Sequence, residues 1–285
     1  MPITLKNVNY TYNSNTPLAH IALTDVNLTI KDNKVTALIG HTGSGKSTLL
    51  QLFDGLLKPT TGEVRVNNYV LTSQTKNKGL KSLRKEVGIV FQSPENQLFA
   101  ETVLKDVMFG PQNFGYSDEE AESAAKKWLK KVGISEELFN RSPFDLSGGQ
   151  MRRVAIAGVL AYEPKILCLD EPAAGLDPSG KEEILSIFRD YQQQGHGVIL
   201  VSHDMNDVAN FADEVVVMDK GKVAKQDNIH NIFSDPSWLQ KHHLNEPESI
   251  SFSLKLRQRG LNISPAINVK NLADEIIKNR GAINE

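Results

Sequence analysis

Short apolar runs recur along the first 230 residues, and stretches with helical spacing separate them. Four runs are nearly continuous and suit strands that are buried on both faces: residues 35–39, 87–91, 166–169 and 198–201. Buried strands that alternate with helices are typical of a parallel sheet with helices packed against it. The pattern therefore predicts an α/β fold with a parallel core.

A different pattern marks the strands outside this core. Apolar and polar residues alternate in residues 23–30 and again in residues 63–66, and an earlier strand begins at Ile3. These segments predict an N-terminal antiparallel β subdomain. Residues 10–17 between them are polar and predict a loop, whereas residues 215–223 predict a hairpin that turns near Gly221.

Helical signals define the rest of the organisation. Predicted helices cover residues 47–55, 117–133, 149–161 and 180–195, and the second opens on a Ser117/Glu120 capping box. The helix-rich stretch from about 93 to 160 interrupts the strands and predicts an inserted α-helical subdomain.

The pattern weakens beyond residue 232. We therefore expect one domain over residues 1–232 and a small C-terminal module over residues 233–285. Four residues would form an apolar helix face in that module: Leu272, Ala273, Ile276 and Ile277.

Composition narrows the class of protein. The 285 residues are 40% hydrophobic and 23% charged, which predicts a soluble globular chain. No apolar run approaches the roughly 18–20 residues of a spanning helix, and the N-terminus lacks the apolar core of a signal peptide. The single cysteine, Cys168, excludes an internal disulfide, and the net charge of −2 argues against a nucleic-acid partner.

The segment between the first buried strand and its helix carries the pattern G-x-x-x-x-G-K-S. Glycines let the backbone curl so that its N–H groups face phosphate oxygens, and the following helix directs its positive end to the same point. Lys46 would reach the β- and γ-phosphates, and the Ser47 hydroxyl would bind Mg²⁺. The predicted nucleotide-binding residues here are Gly40, His41, Thr42, Gly43, Ser44, Gly45, Lys46, Ser47 and Thr48. A glycine turn ahead of an ordinary helix is the alternative at this point.

Two carboxylates end the apolar strand 166–169. In an α/β sheet, ligands bind at the carboxyl ends of the strands. Asp170 would orient Mg²⁺, and Glu171 would polarise an attacking water as a general base. A plain acidic pair at the end of a strand is the alternative.

The sequence L-S-G-G-Q precedes another predicted helix. Ser147, Gly148, Gly149 and Gln150, which we call the SGGQ turn, would present free N–H groups and a hydroxyl to an anion. One chain cannot easily bring this turn and the phosphate loop (residues 40–47) to the same γ-phosphate, whereas two chains arranged head to tail can. The alternative, a flexible linker, conflicts with the helix that follows at once.

Together these motifs identify a family. The order G-x-x-x-x-G-K-S, Gln92, L-S-G-G-Q, I-L-C-L-D-E, A-G-L-D and S-H-D is similar to that of ABC-transporter ATPase subunits, over residues 3 to about 230. The resemblance implies a P-loop NTPase core that hydrolyses ATP with Mg²⁺. It further implies that Gln92 senses Mg²⁺ and the attacking water, that Asp177 contacts the opposite protomer, and that His203 touches the γ-phosphate. Tyr12, ahead of Tyr10, would stack on adenine; an aromatic packed on the sheet is the alternative.

A narrower resemblance rests on residues 91–99, 103–111, 145–158 and 173–178. They are similar to those of the ATPases of energy-coupling factor (ECF) importers, and His41-Thr42 resembles the second, A-prime type. This resemblance implies a peripheral subunit on the cytoplasmic face of the cell membrane that energises uptake of vitamins or other micronutrients. The implied partners are a second, paralogous ATPase in a head-to-tail dimer, a transmembrane coupling subunit and a separate membrane substrate-binding subunit. Leu98 and Phe99 would contact the coupling subunit; their alternative is burial in the helical subdomain.

The same motifs support other functions less well. A DNA-repair ATPase would carry a long heptad insertion, and a translation factor would hold two such domains in one chain. A P-loop kinase leaves the SGGQ turn unexplained. The ATPase of an ordinary ABC transporter is the main alternative. No pattern of metal ligands accompanies the pair His242-His243, so we expect these histidines to be solvated or to have a packing role.

Overall fold

The computed structural model describes residues 2–279. Met1 of the predicted first domain and residues 280–285 of the predicted C-terminal module lie outside the described residues. Two sheets form the framework. The strands are β1 Ile3–Tyr12, β2 His20–Ile30, β3 Val35–Ile39, β4 Thr61–Val66, β5 Tyr69–Leu71, β6 Val87–Val90, β7 Ile166–Asp170, β8 Gly197–Val201, β9 Glu214–Asp219 and β10 Lys222–Asn228.

Helices connect and cover these strands. They are α1 Lys46–Phe53, α2 Leu80–Glu86, α3 Val103–Asn113, α4 Asp118–Lys131, α5 Gly148–Leu160, α6 Pro178–Gln193, α7 Met205–Phe211, α8 Ile229–Phe233, α9 Pro236–Lys241, α10 Glu248–Gln258 and α11 Val269–Lys278. Short 3-10 helices lie at Pro94–Gln97, Glu136–Leu138 and Pro143–Asp145.

The larger sheet confirms the predicted parallel core. Its order is β10-β9-β3-β8-β7-β6, in which β9, β3, β8, β7 and β6 run parallel and β10 returns antiparallel beside β9. The carboxyl ends of β3, β6, β7 and β8 therefore meet at one edge of the sheet. Each of these four strands leads directly into a predicted site motif.

The smaller sheet confirms the antiparallel N-terminal subdomain, with the order β2-β1-β4-β5. It also corrects the predicted loop over residues 10–17. Tyr10 and Tyr12 belong to β1, which pairs with β2 as far as Tyr12 and His20. Polarity alone misplaced this boundary, because aromatic residues favour strands and here extend the pairing.

Two apolar cores lie on opposite faces of the larger sheet. Along β3, Val35, Ala37 and Ile39 pack into the core beneath the helices of the inserted segment, whereas Leu38 packs into the core shared with the smaller sheet. This alternation is what a strand buried on both faces requires. The sheet is thereby held from both sides, which fixes the edge that carries the site.

The C-terminal segment is joined to the main core at its beginning. Phe233, Leu239, Leu244 and Ile250 all belong to the core cluster that contains β3. The predicted apolar face of α11 is only half right. Leu272 and Ile276 pack in a small separate cluster, whereas Ala273 and Ile277 are exposed.

Candidate active site

The phosphate loop is shaped by close backbone contacts. Gly45 has a φ of +104° and precedes α1; a Cβ placed on it would lie 2.7 Å from Leu23 Cδ2 and 2.8 Å from the Ala22 carbonyl oxygen. Only glycine fits this position, because both the left-handed backbone and the lack of space exclude a side chain. The smaller sheet therefore packs directly on the loop and holds the first turn of α1 in place.

Lys46 projects from the first turn of α1 into the loop. Its ammonium donates hydrogen bonds to the carbonyl oxygens of Gly40 (2.7 Å) and His41 (3.0 Å), and the residue is only 6% exposed. Burial lowers the pKa of Lys46, and the nearby carboxylates of Glu171 and Asp170 oppose that shift. A buried ammonium held this way is a ready partner for a polyphosphate.

Asp170 and Ser47 form an oxygen-rich corner at the end of β7. The Ser47 hydroxyl lies close enough to the Asp170 carboxylate to influence its pKa. Burial raises the pKa of Asp170 and the charge of Glu171 adds to the shift, whereas the Ser47 hydroxyl and Lys46 oppose it. Neighbouring hydroxyl and carboxylate oxygens suit Mg²⁺, which prefers hard oxygen ligands.

The three predicted catalytic residues converge. Glu171 Oε2 accepts a hydrogen bond from the Gln92 amide at 3.2 Å, and its Oε1 lies 2.9 Å from His203 Nε2. Glu171 itself has a φ of +52°, and its backbone N–H donates to the Val201 carbonyl at 3.1 Å. A left-handed glutamate is uncommon and costs energy, so this conformation is typical of residues placed for function.

One cavity of about 540 Å³ gathers most of the predicted residues. That volume is within the usual range for small-molecule sites. Its lining includes the predicted residues Tyr12, Thr42, Gly43, Gly45, Lys46, Ser47, Thr48, Gln92, Asp170, Glu171 and His203. His20, Ala22 and Val201 also line it and carried no sequence signal. The pairing of β1 with β2 is what brings His20 beside Tyr12.

Tyr12 is one of the residues that line this cavity. Its hydroxyl lies 3.0 Å from Thr48 Oγ1, and its ring packs edge-on against Tyr10 with centroids 4.8 Å apart. These contacts fix the ring on the cavity wall. Stacking of Tyr12 on adenine remains a prediction.

The SGGQ turn lies outside the cavity. The Ser147 hydroxyl accepts from the Gln150 N–H at 3.3 Å, and Gln150 Oε1 accepts from the Ser147 N–H at 3.0 Å, which completes a capping box for α5. Within residues 2–279, no heavy atom outside the neighbouring backbone lies within 4 Å of a Cβ placed on Gly148 or Gly149. Packing inside this chain therefore does not demand either glycine.

Asp177 also lies away from the cavity lining. Its carboxylate caps α6 by accepting a hydrogen bond from the Gly180 N–H at 2.7 Å, and the residue is exposed. Gly40, His41 and Ser44 belong to the phosphate loop but do not line the cavity. The His41 carbonyl contacts Lys46, whereas its imidazole turns outward.

The outward imidazole meets the C-terminal segment. His41 Nε2 lies 3.1 Å from Asp219 Oδ1, and His242 Nδ1 lies 2.9 Å from Asp219 Oδ2. His242 is therefore neither free nor merely packed, because Asp219 ties it to the phosphate loop. In the described part of the chain, no group of three or more histidine, cysteine or carboxylate side chains could hold a metal ion.

Asp219 gives a prediction about pH. Burial alone would raise its pKa, but the hydrogen bonds from His242 and His41 bring the pKa below its usual value. A carboxylate with a lowered folded-state pKa stabilises the protein above its unfolded pKa, and this stabilisation disappears as the pH falls through the folded value. We expect Asp219→Asn to lower the melting temperature by a few degrees near neutral pH, a loss of about 2 kcal/mol.

That difference should shrink as the pH falls from about 5 to about 2, because the pKa of Asp219 lies below its usual value. Thermal melts across this range measure it. Glu122→Gln, which breaks only an exposed pair with Lys126, is the control and should change little at any pH. A difference for Asp219→Asn that stays constant with pH would contradict the contribution of its charge.

Comparison with known proteins adds independent findings. A family model described as ABC transporter matches residues 23–174. An energy-coupling factor transporter ATP-binding protein EcfA2 from Lactobacillus delbrueckii is 54% identical over 277 residues, covering 97% of this chain and 96% of that protein. A protein of the same name from Streptococcus sanguinis is 57% identical over 264 residues, 93% of this chain and 95% of that protein.

Solved structures agree with these relatives. CbiO1 from Clostridium perfringens, described as part of the ABC transporter complex cbiONQ, is 39% identical with a TM-score of 0.72, over 90% of this chain and 96% of its own. A dimeric ATP-binding cassette in a post-hydrolysis state with ADP and phosphate is 35% identical with a TM-score of 0.71, over 80% and 98%. Within residues 2–279, none of the helices has the length and apolar character needed to span a bilayer.

Proposed function

Because the chain belongs to the ABC transporter ATPase family, and within it to the ECF transporter ATP-binding proteins, we propose that it is one half of an ATPase pair that drives a micronutrient importer. The chain is an ATP hydrolase coupled to transport. Identity above 50% over almost the whole chain favours the ECF assignment over an ordinary ABC transporter, a repair ATPase, a translation factor or a kinase.

The observation that carries the catalytic proposal is the convergence of Gln92 and His203 on Glu171 beside the Lys46 ammonium. Glu171 would accept a proton from the attacking water, which Gln92 would hold in line. His203 and Lys46 would stabilise the charge on the γ-phosphate. In this proposal Glu171 is the proton acceptor and the Lys46 ammonium supplies positive charge beside the phosphates.

Mg²⁺ fits the oxygen corner formed by Ser47, Asp170 and Gln92. Ser47 and Asp170 line the same cavity, and the Ser47 hydroxyl lies close enough to the Asp170 carboxylate to influence its pKa. When bound, the ion would neutralise phosphate charge and orient the β- and γ-oxygens. In this proposal Asp170 and Ser47 bind the ion, and Gln92 senses whether it is bound.

A second ATPase subunit would complete the site. Ser147, Gly148, Gly149 and Asp177 are exposed, Gln150 is half-buried, and none of them lines the cavity. Gly148 and Gly149 have open space at their Cβ positions, as expected if another molecule approaches their backbone closely. We therefore place the SGGQ turn of one subunit against the nucleotide held by the phosphate loop of the other, in a head-to-tail dimer with a paralogue.

The membrane partner would dock beside the segment that follows Gln92. Leu98 is 7% exposed and lies in the core, so burial, the alternative for this residue, is correct. Phe99 is 58% exposed and packs edge-on against Phe109, which is 48% exposed, with ring centroids 4.8 Å apart. Asp106 on α3 accepts hydrogen bonds from the Phe99 and Ala100 N–H groups, which fixes this aromatic pair (Phe99 and Phe109) on the helix.

An exposed and rigid aromatic pair suits an apolar helix end of a transmembrane coupling subunit. Such docking would place the chain on the cytoplasmic face of the membrane as a peripheral subunit. A separate membrane subunit would then bind the transported micronutrient.

Replacing both Phe99 and Phe109 by alanine should reduce recovery of the membrane subunits by about tenfold or more in co-purification from detergent-solubilised membranes. ATP binding should remain within about twofold, because neither side chain lines the cavity. Phe252→Ala removes a phenylalanine of similar exposure on α10 and should leave recovery unchanged. Undiminished recovery with the double variant would disprove this docking surface.

A further inference from the structure

Arg152 lies in the second turn of α5, five residues after Ser147, and connects three segments. Its Nε lies 3.1 Å from Glu95 Oε2 and its Nη2 lies 3.2 Å from Glu95 Oε1, a two-pronged ion pair. Its Nη1 donates to the Ala174 carbonyl oxygen. The Arg152 side chain is 12% exposed and that of Glu95 22%, so water screens the pair only in part.

The two partners of Arg152 each follow a catalytic residue by the same number of positions in the sequence. Glu95 follows Gln92 by three residues, in the 3-10 helix Pro94–Gln97. Ala174 follows Glu171 by three residues, and its N–H donates to the Glu171 carbonyl at 3.1 Å. Gln92 and Glu171 meet each other at 3.2 Å. The segment that contains Gln92 and the segment that contains Glu171 are therefore connected in two places. One connection is the hydrogen bond between these two side chains, and the other runs through Arg152.

We propose that Arg152 is a positioning residue for ATP hydrolysis: the clamp formed by Arg152, Glu95 and the Ala174 carbonyl sets the distance between Gln92 and Glu171 and ties that distance to α5. Since α5 begins at the SGGQ turn, movement of that turn against a nucleotide would pass through Arg152 to the residues that handle the attacking water. Among residues 2–279, the hydrogen-bond partners of the Arg152 guanidinium are Glu95 and Ala174, and neither lines the cavity. Arg152 therefore acts through these two partners.

The chemistry explains why this position holds arginine. A planar guanidinium can grip both oxygens of one carboxylate and still donate to a carbonyl in another direction. A lysine ammonium is a point charge that can pair with Glu95 or reach Ala174, but cannot hold both in this geometry. Burial alone would raise the pKa of Glu95, but the hydrogen bonds and charge of Arg152 bring it below its usual value, which favours the charged carboxylate that the clamp needs.

The test compares two identical changes on one helix. Arg152→Lys should lower kcat for ATP hydrolysis by the transporter complex about tenfold and leave KM for ATP within about twofold, because the nucleotide cavity is intact but Gln92 and Glu171 are misaligned. Arg153→Lys is the matched control. The neighbouring Arg153 contacts the Val132 carbonyl and Glu183, away from both catalytic segments, so kcat should be unchanged. Equal melting temperatures for the two variants would exclude a general loss of stability.

A double-mutant cycle tests the clamp itself. Glu95→Gln should lower kcat by a similar factor, and the Arg152→Lys/Glu95→Gln pair should lose little more than either single variant, because both changes open the same clamp. Losses that multiply, a wild-type kcat for Arg152→Lys, or a rise in KM alone would each overturn the inference.

The inference rests on the proposed role of Glu171 as general base. Different outcomes would show that the clamp is wrong and that the role of Glu171 is wrong. If Glu171→Gln abolishes turnover and Arg152→Lys does not lower it, only the clamp is wrong. If Glu171→Gln hydrolyses ATP normally, the assignment of the base is wrong.

Discussion

Replacing Glu171 by glutamine should stop ATP turnover while ATP binding persists. Glutamine has the size of glutamate and can keep one hydrogen bond to Gln92 or His203, but its amide cannot take a proton from water. Loss of general-base catalysis costs roughly 10²- to 10⁴-fold. We therefore expect kcat to fall by at least about 100-fold, with the affinity for ATP unchanged because Lys46, Ser47 and the phosphate loop are intact.

The same variant should accumulate a closed dimer that holds ATP, because the step that releases the γ-phosphate is blocked. Turnover and retained nucleotide, measured on the same purified complex, check both expectations. Glu136→Gln, which alters an exposed carboxylate paired with Lys130, is the control and should hydrolyse ATP normally. Near-normal hydrolysis by Glu171→Gln would remove Glu171 from its role as base.

The second large effect concerns the SGGQ turn. Ser147→Arg would place a bulky side chain at the exposed N-terminus of α5, where we expect the nucleotide of the other subunit to lie. Hydrolysis of that nucleotide should fall by about 100-fold or more, comparable to losing a donor that stabilises transition-state charge. Binding of ATP to this chain's own phosphate loop should not change, since Ser147 does not line its cavity.

The chain supplies a close control for this variant. Ser117 caps α4 with the same arrangement, in which its hydroxyl accepts from the Glu120 N–H and Glu120 accepts from the Ser117 N–H. Ser117→Arg should therefore cost a similar amount of stability, about 1 kcal/mol, and leave hydrolysis unchanged. If Ser117→Arg and Ser147→Arg reduced hydrolysis equally, the loss would reflect helix capping and not a shared site.

Local sequence patterns predicted Lys46, Asp170 and Glu171 at the catalytic edge, whereas the resemblance to ABC-transporter ATPase subunits implied Gln92 and His203. Lys46, Gln92, Glu171 and His203 each follow a buried strand, and parallel strands must bring their carboxyl ends to one edge. The Ser117/Glu120 capping box was predicted, whereas the equivalent box of Ser147 and Gln150 was not, although both join residues only three positions apart. Such features depend on spacing within a few residues, which a single sequence records.

Contacts between distant segments could not be predicted this way. The Asp219 carboxylate joins His41 to His242, residues about 200 positions apart, and no local pattern links them. The same holds for Arg152, whose partners Glu95 and Ala174 come from segments on either side of α5. The extent of β1 through Tyr12 was missed because pairing with β2 outweighs the polar character of residues 10–17.

Photolabelling from the γ-phosphate tests most directly whether one nucleotide touches two polypeptides. The probe is an ATP analogue with a photoreactive γ-phosphate group, bound to complexes with one Lys46→Ala copy of this chain beside an unaltered ATPase partner. The Lys46→Ala chain cannot hold nucleotide in its own loop, yet its residues 147–150 should still be labelled, because the partner's loop presents the nucleotide to them. Loss of that label, with labelling confined to the partner, would show that each site is complete within one chain.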